Sequence, residues 1–207
     1  MRKILFRTLL LLILVTALAL FLPACQKEEQ PQEGVTYDEA KLDEYIAPFA
    51  YESLTVELTD ADTLKSEAIW VKLLSEVEIL SYPEDAVEYY AEQQRDTYRY
   101  YAEKNDWSYG EALEFFGVSE ENILDEAREM VKGDLVYRYI VKDAGITLSE
   151  DEKSEQMARY VKKFSEDYGY TEDYVEEHMT DLIYDAMLYD KTMEYLIVKN
   201  TFVESST

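Results

Sequence analysis

The sequence predicts an all-α protein: an elongated helical domain with a long central helix and two helical arms, preceded by a signal peptide and a short tether. One uninterrupted helical pattern runs from residue 119 to residue 145, and amphipathic patterns at helical spacing fill most of the chain on both sides of it. Only residues 54–58 alternate apolar and polar side chains in the manner of a strand. Since one strand cannot form a sheet, helices are expected to build the core.

The central helix begins after Ser119, a favourable N-cap, and ends before Gly145, which suits the left-handed residue that closes a helix. Its first half has a single apolar stripe, which predicts packing on one side. The stripe consists of Leu124, Ala127, Val131 and Leu135. From residue 135 to residue 141 apolar side chains point in nearly every direction, so we expect several elements to bury this second half.

The first 24 residues have the organisation of a signal peptide. Three basic residues among the first seven precede an uncharged apolar stretch, residues 8–21. The stretch ends in Leu22, Pro23, Ala24 and Cys25, which resembles the lipobox of bacterial lipoproteins, although Pro23 departs from the commoner small residue. We therefore expect lipidation of Cys25 and a lipid anchor on the extracytoplasmic face of the cell membrane. The alternative is a spanning helix, for which about 20 apolar residues suffice.

The charge of the chain excludes one class of partner. Without residues 1–24 the chain has 17 Lys and Arg against 45 Asp and Glu, a net charge of about −28. Nucleic acid is excluded because phosphate binding depends on Lys and Arg. The sequence also has no glycine-rich phosphate loop, so no nucleotide or other cofactor is expected.

A polar tether, residues 25–36, leads to a short N-terminal extension, residues 37–59. In the extension, residues 37–46 predict a short helix, and the strand pattern at residues 54–58 is expected to be an edge element, a loop or a remnant. The helical domain is predicted over residues 60–203.

Helix signals divide that domain. Helices are predicted from residue 60 to about 77, from Pro83 to about 104, after Ser108, through the central segment, after Ser149 and after Thr171. Capping boxes pair Ser108 with Glu111 and Ser149 with Glu152, while Gly117 and Gly169 end the helices that these boxes begin. The last helix is expected to be continuous with one apolar seam. The seam consists of Val175, Met179, Leu182, Ala186, Tyr189, Met193 and Leu196.

The order of several short motifs resembles the C-terminal chaperone domain of bacterial trigger factor, over about residues 60–203. The motifs are Tyr82-Pro83-Glu84-Asp85, Trp107-Ser108-Tyr109-Gly110-Glu111, Phe116-Gly117-Val118-Ser119, Gly145-Ile146-Thr147-Leu148-Ser149 and Tyr168-Gly169-Tyr170. The resemblance implies an all-helical body with two protruding arms that cradle unfolded proteins, the arms being residues 83–117 and 149–200. The ribosome-docking domain and the prolyl isomerase domain of that family have no counterpart here, so no ribosome partner is expected.

Catalytic and metal-binding residues are not expected. His178 is the only histidine, and no partner nucleophile or orienting group is suggested for it, so a surface or partly buried position is the interpretation. Acid pairs such as Asp60 and Asp62, or residues 150–152, lack the loop pattern of a calcium site and are interpreted as a solvated face. Paired carboxylates for glycoside hydrolysis remain possible among 45 acids, although no cleft-forming scaffold is evident.

Aromatic residues are the best candidates for binding. The chain has 19 tyrosines, most of them on predicted core stripes. Tyr89 and Tyr100 are eleven residues apart, which brings them to nearly the same angle of a helix, away from its apolar stripe, so we expect both to be exposed. The candidate client-binding residues are Tyr89, Tyr98, Tyr100, Tyr109, Phe115, Phe116 and Met187.

These features predict a membrane-anchored extracytoplasmic chaperone or foldase-like lipoprotein that is not an enzyme. Its partners would be unfolded or nascent exported polypeptides, bound without nucleotide, and the membrane through the lipid on Cys25. The first alternative is a helical lipoprotein that docks one folded envelope partner. The second is an enzyme, either a protein related to prolyl isomerases or an unrecognised hydrolase.

Overall fold

Helices make up most of the described residues, which confirms the predicted all-α class. The computed structural model describes residues 35, 37–58 and 64–204, and the predicted signal peptide, Cys25, Asp60 and Asp62 lie outside them. A 3₁₀ turn, Glu39–Lys41, precedes the named elements. These are α1 (Leu42–Tyr45), β1 (Thr55–Leu58), α2 (Lys65–Glu76), α3 (Glu84–Lys104), α4 (Tyr109–Phe116), α5 (Glu120–Asp143), α6 (Glu150–Tyr168), α7 (Glu172–His178), α8 (Thr180–Lys199) and β2 (Thr201–Glu204).

The central helix is α5. Its buried stripe begins at Ile123 and not at Leu124, which is half-buried, so the predicted stripe was wrong at its first residue. The fully buried side chains are Ile123, Ala127, Val131, Leu135, Val136 and Ile140. Every position from 131 to 141 is buried or half-buried, which confirms that several elements surround the second half.

The neighbours of α5 account for this difference between its halves. Helix α3 packs along α5, and α4 packs on α3; we call residues 83–117 the first arm. Helices α2 and α8 pack on each other and on α5, where Gly133 leaves room for the Trp70 ring, 3.9 Å from the position a Cβ would occupy. Helices α6 and α7 pack on α8, and we call residues 149–200 the second arm. None of the described helices is long and apolar enough to cross a membrane.

The N-terminal extension belongs to the core. Leu42 and Ile46 are fully buried, and Ile46 forms an isolated antiparallel bridge with Ile79. The Tyr51 hydroxyl donates a hydrogen bond to Asp143 Oδ2 at 2.6 Å, on the last turn of α5. This segment is therefore fastened to the central helix and is not a free continuation of the tether.

The strand has a partner that the sequence analysis missed. Residues Thr55–Leu58 pair in parallel with Thr201–Glu204, with Val56 opposite Phe202. Asn200 joins the two chain segments, because its Oδ1 accepts a hydrogen bond from Leu54 N at 2.8 Å and its Nδ2 donates one to Tyr51 O at 3.0 Å. A four-residue strand whose partner lies about 146 positions away leaves no local signal.

The predicted last helix is two helices. Thr171 caps α7 as predicted, but Met179 has φ −123° and ψ 11°, so the helix ends at His178 and α8 begins at Thr180. The interruption changes the buried face, and Leu182 is exposed while Ile183 is fully buried. The predicted seam was therefore wrong at Leu182, because a continuous helix was assumed across Met179.

Candidate functional site

Six aromatic side chains form one cluster at the corner between α3 and α4, which we call the aromatic patch. Its members are Tyr98, Tyr100, Tyr101, Trp107, Phe115 and Phe116. Phe116 lies at its centre, with ring centroids 5.2 Å from Tyr101, 5.7 Å from Tyr98 and 5.2 Å from Phe115. The Phe115 ring also lies 4.8 Å from the Trp107 ring.

Four members of the aromatic patch are open to solvent. Phe115 is 68% exposed, Tyr100 45%, Tyr101 42% and Phe116 42%. Tyr174, 38% exposed, also forms ring contacts, with Tyr170 at 5.0 Å and His178 at 4.6 Å, but no second Phe, Tyr or Trp ring of the described residues that is equally exposed joins it there. Scattered apolar groups are ordinary on a protein surface, whereas a contiguous patch is typical of an interaction site.

Hydrogen bonds and backbone torsions of nearby residues fix the turn between α3 and α4. The Asn105 side chain donates to Tyr101 O at 2.8 Å, and Asp106 has a left-handed φ of 56°, so the chain reverses immediately after α3. Ser108 and Glu111 then form the predicted capping box of α4. Gly117, at φ 67°, ends α4 after eight residues, a conformation that costs glycine little because it has no Cβ. The rings are thus presented from a rigid turn.

Charged groups join α3 and α4 to the first turn of α5. Arg95 donates to Glu120 Oε2 at 3.0 Å and to Glu88 Oε1 at 2.6 Å. The Tyr109 hydroxyl donates to Glu120 Oε1 at 2.6 Å, and burial together with this hydrogen bond raises the pKa of Tyr109 to about 12. Tyr109 therefore stays protonated at neutral pH and links α4 to the first turn of α5.

A half-buried carboxyl group fixes the other end of the first arm. Asp134 Oδ2 accepts hydrogen bonds from the Tyr90 hydroxyl at 2.5 Å and from the Tyr37 hydroxyl at 3.0 Å. Burial raises the pKa of Asp134, and the two hydrogen bonds offset part of that rise. We call Tyr37, Tyr90 and Asp134 the junction, because they join the N-terminal extension, α3 and α5.

The second arm has an enclosed core of its own. Its buried residues are Tyr160, Val161, Val175, Met179, Ile183 and Met187. Lys191 donates to Glu152 Oε1 at 2.6 Å and to Thr147 O at 2.7 Å, so α8 is tied to the start of α6. Lys191 and the Ser149 cap hold the pKa of Glu152 at about 2.

A comparison with models of protein families shows which family this chain belongs to. The model for the bacterial trigger factor protein C-terminus matches residues 52–198, more than two thirds of the 207 residues. The chain belongs to the trigger factor C-terminal family. This membership confirms the predicted resemblance and indicates a chaperone-like, polypeptide-binding role, because the matched domain is the chaperone domain and not the isomerase domain. No curated protein and no solved structure gives a significant match.

The structure brings together four of the predicted client-binding residues of this trigger factor domain. Tyr98, Tyr100, Phe115 and Phe116 all lie in the aromatic patch, whereas Tyr109 lies at the start of α4 and donates to Glu120. The predicted exposure of Tyr100 is confirmed.

Two expectations about surface position were wrong. Tyr89 is half-buried, with its ring 5.3 Å from that of Tyr90, because its turn of α3 lies at the junction. Met187 is only 2% exposed and lies in the core of the second arm, where the break at Met179 directs it inward.

Sequence reasoning missed two members of the aromatic patch. Tyr101 lies in the last turn of α3 and is 42% exposed, with its ring against Phe116 of α4. Trp107 was recognised as part of a family motif but was not predicted to bind a client. The available signal was the density of aromatic residues, since seven of them lie within the 19 positions from 98 to 116.

No catalytic arrangement emerges in the described part of the chain. His178 is exposed, its Nε2 lies 3.7 Å from Glu177 Oε2, and its ring lies 4.6 Å from that of Tyr174. Within residues 37–58 and 64–204, no three His, Cys, Asp or Glu side chains are grouped so that they could hold a metal ion.

Proposed function

We propose that this protein is a membrane-anchored extracytoplasmic chaperone that holds unfolded segments of exported polypeptides on its aromatic patch without nucleotide. The observation that carries the proposal is the row of exposed rings formed by Tyr100, Tyr101, Phe116 and Phe115. Membership of the trigger factor C-terminal family supports a polypeptide partner.

The chemistry of the aromatic patch suits weak binding of many sequences. Tyr and Phe rings present a large apolar area and lose little conformational entropy on binding, because each has only two side-chain torsions. A net charge of −25 attracts basic segments of a client over several ångströms and keeps the carrier soluble. Ring contact then needs no particular client sequence.

The lipid anchor of this proposal rests on the sequence of residues 1–25. A lipid on Cys25 would hold the helical domain near the membrane through the tether, which spans roughly 17 to 20 Å on average. Cys25→Ser should remove the acyl mass from the protein and shift it from the membrane fraction to the soluble fraction. If C25S fractionates with the membrane to the same extent as the wild-type chain, a lipid on Cys25 is not the anchor.

The binding role can be tested with matched double variants of the full chain in detergent micelles. The patch variant carries Tyr100→Ser and Phe115→Ser, and the control carries Leu182→Ser and Val198→Ser, which are also exposed but lie outside the aromatic patch. The patch variant should bind a permanently unfolded polypeptide about tenfold more weakly, since aromatic anchors contribute more than about 1 kcal/mol each. The control should bind within about twofold of the wild-type chain.

Three results would overturn the proposal. A wild-type chain that neither slows aggregation of a denatured protein nor binds unfolded polypeptide is not a chaperone. Capture of one stoichiometric folded partner would favour the docking alternative. Acceleration of prolyl isomerisation in a test peptide above background would favour the enzymatic alternative.

A further inference from the structure

A cleft of about 320 Å³ lies between β1 and α2. Its lining residues are Thr55, Val56 and Glu57 on β1 and Ala68, Val71, Lys72 and Ser75 on α2. Successive side chains of a strand point to opposite faces, so a cleft that touches three consecutive residues meets the strand along its backbone edge. The cleft is therefore a groove with a strand edge as one wall and a helix as the other.

The hydrogen bonds of β1 identify which edge this is. Thr201 N donates to Leu54 O at 2.9 Å, so Leu54 directs its backbone groups toward β2. Along a parallel strand these directions alternate, which turns the backbone N–H and C=O groups of Thr55 and Glu57 toward the opposite edge. The sheet of the described residues has two strands only, so no described strand pairs with that edge. Unpaired strand edges of this kind accept further strands.

The helical wall of the groove is apolar at its centre. Val71 is 37% exposed, and Ala68 is half-buried one turn before it. Beside them Lys72 is held by Glu76, with Nζ 2.7 Å from Oε1. On the strand, Glu57 is exposed and has no ion pair among the described residues. A bound segment thus meets an apolar wall, open backbone groups and one unneutralised carboxylate.

We propose that this groove binds an extended, basic segment of an unfolded polypeptide, which adds to β1 as a further strand. The inference rests on the proposed function, because it assigns a second contact to the same class of client. Charge selects this occupant over two others. The tether carries three glutamates against one lysine, and a second copy of the chain carries the same net charge of −25, so both would be repelled from Glu57.

The groove defines which backbone and side-chain features the bound segment must have. The backbone of that segment would hydrogen-bond to Thr55 and Glu57, so it must be extended and must carry free N–H groups on the edge that faces β1. One side chain would enter between Val56 and Val71, whose apolar surfaces favour an apolar residue there. A lysine or arginine next to it would meet Glu57.

Two N-methylated peptides test this binding mode on the full chain in detergent micelles. The parent peptide alternates lysine and valine, one derivative is N-methylated at the lysines, and the other at the valines. Because the backbone N–H groups of an extended peptide alternate between two edges, one derivative loses the donors that face β1 and the other does not. We expect one to bind about tenfold more weakly than the parent and the other to bind within about twofold of it.

A protein variant with a matched control completes the test. Val71→Lys places a charge and a longer side chain on the helical wall, while Val198→Lys makes the same change at a more exposed valine on α8. V71K should weaken binding of the parent peptide about tenfold, and V198K should leave it unchanged. Because Val71 is already exposed, both variants should unfold at the denaturant midpoint of the wild-type chain.

The outcomes separate this inference from the proposed function. Equal binding of both methylated peptides, or full affinity in V71K, would overturn strand addition even if the chain still suppresses aggregation through the aromatic patch. Failure of the wild-type chain to bind any unfolded polypeptide would overturn both. A concentration-dependent dimer that V71K converts to a monomer would show that a second copy occupies the groove, and would overturn the assignment to a client.

Discussion

The first arm and the second arm begin with the same local devices but end with different surfaces. Helices α4 and α6 both start at a Ser-x-x-Glu capping box and both stop at a left-handed glycine, Gly117 or Gly169. The second arm then folds α7 and α8 against α6 and encloses its apolar side chains. The first arm has only the eight residues of α4 beyond α3, so its aromatic side chains stay open. Whether an apolar side chain is exposed therefore depends on whether another element covers it, and not on the apolar content of its helix.

The largest effect should come from replacing a buried side chain of the second arm. Ile183→Ala should lower the free energy of unfolding by about 3 kcal/mol, because Ile183 is fully buried and its removal leaves a cavity. Phe115→Ala in the first arm removes a larger side chain but should cost less than about 0.5 kcal/mol, since Phe115 is mostly exposed. Urea unfolding of both variants measures the difference. Equal losses would mean that the two arms do not differ in burial.

An intermediate effect is expected at the junction, which ties the first arm to α5 by polar contacts. Tyr90→Phe removes a donor from the half-buried Asp134 and should cost about 1 to 2 kcal/mol of unfolding free energy. The neighbouring Tyr89→Phe is the matched control and should stay within about 0.5 kcal/mol. A Y90F protein as stable as Y89F would show that the junction does not hold the arm.

The smallest effect should come from a contact in the second arm whose contribution to stability depends on pH. The pKa of Glu152 is lowered to about 2 in the folded protein by Lys191 and by the Ser149 cap, against about 4.3 for an unperturbed glutamate. A lowered acid pKa stabilises the fold above the unfolded pKa, and this stabilisation is lost as the pH falls through the folded pKa. Glu152→Gln should therefore be slightly less stable than the wild-type chain at pH 7, and the difference should disappear near pH 2.

A thermal melting series from pH 7 to pH 2 measures this contact. Glu150→Gln is a suitable control, since the one ion pair of Glu150 among the described residues is with Lys153 on its own helix. A difference between E152Q and the wild-type chain that grows as the pH falls would contradict the assigned direction of the shift.

Much of the fold was predictable, because helix boundaries depend on nearby residues. The caps at Ser108, Ser119, Ser149 and Thr171 were all predicted, since each side chain bonds to a backbone N–H within three residues. The break at Met179 was not predicted, because no glycine or proline marks it. The β1–β2 pair was also missed, because its two strands come from opposite ends of the described chain.

The candidate site was predictable only in part. The helical angle placed Tyr100 correctly on the surface, and Phe115 and Phe116 were named as binding candidates without a prediction of their exposure. The angle failed for Tyr89, and the binding candidate Met187 is buried. Both lie where a second element arrives from elsewhere in the chain, at the junction and in the core of the second arm.

Local sequence was sufficient to determine the helical class, the helix ends that a side-chain cap or a glycine marks, and the corner that presents the aromatic patch, because these depend on hydrogen bonds and torsions within a few residues. Tertiary structure alone decided which apolar faces are covered, how the N-terminal extension is held at Asp134, and that β2 pairs with one edge of β1 while no described strand pairs with the other. Burial is a property of neighbours that are distant in sequence, so periodicity can indicate that a face is apolar but not whether another segment covers it.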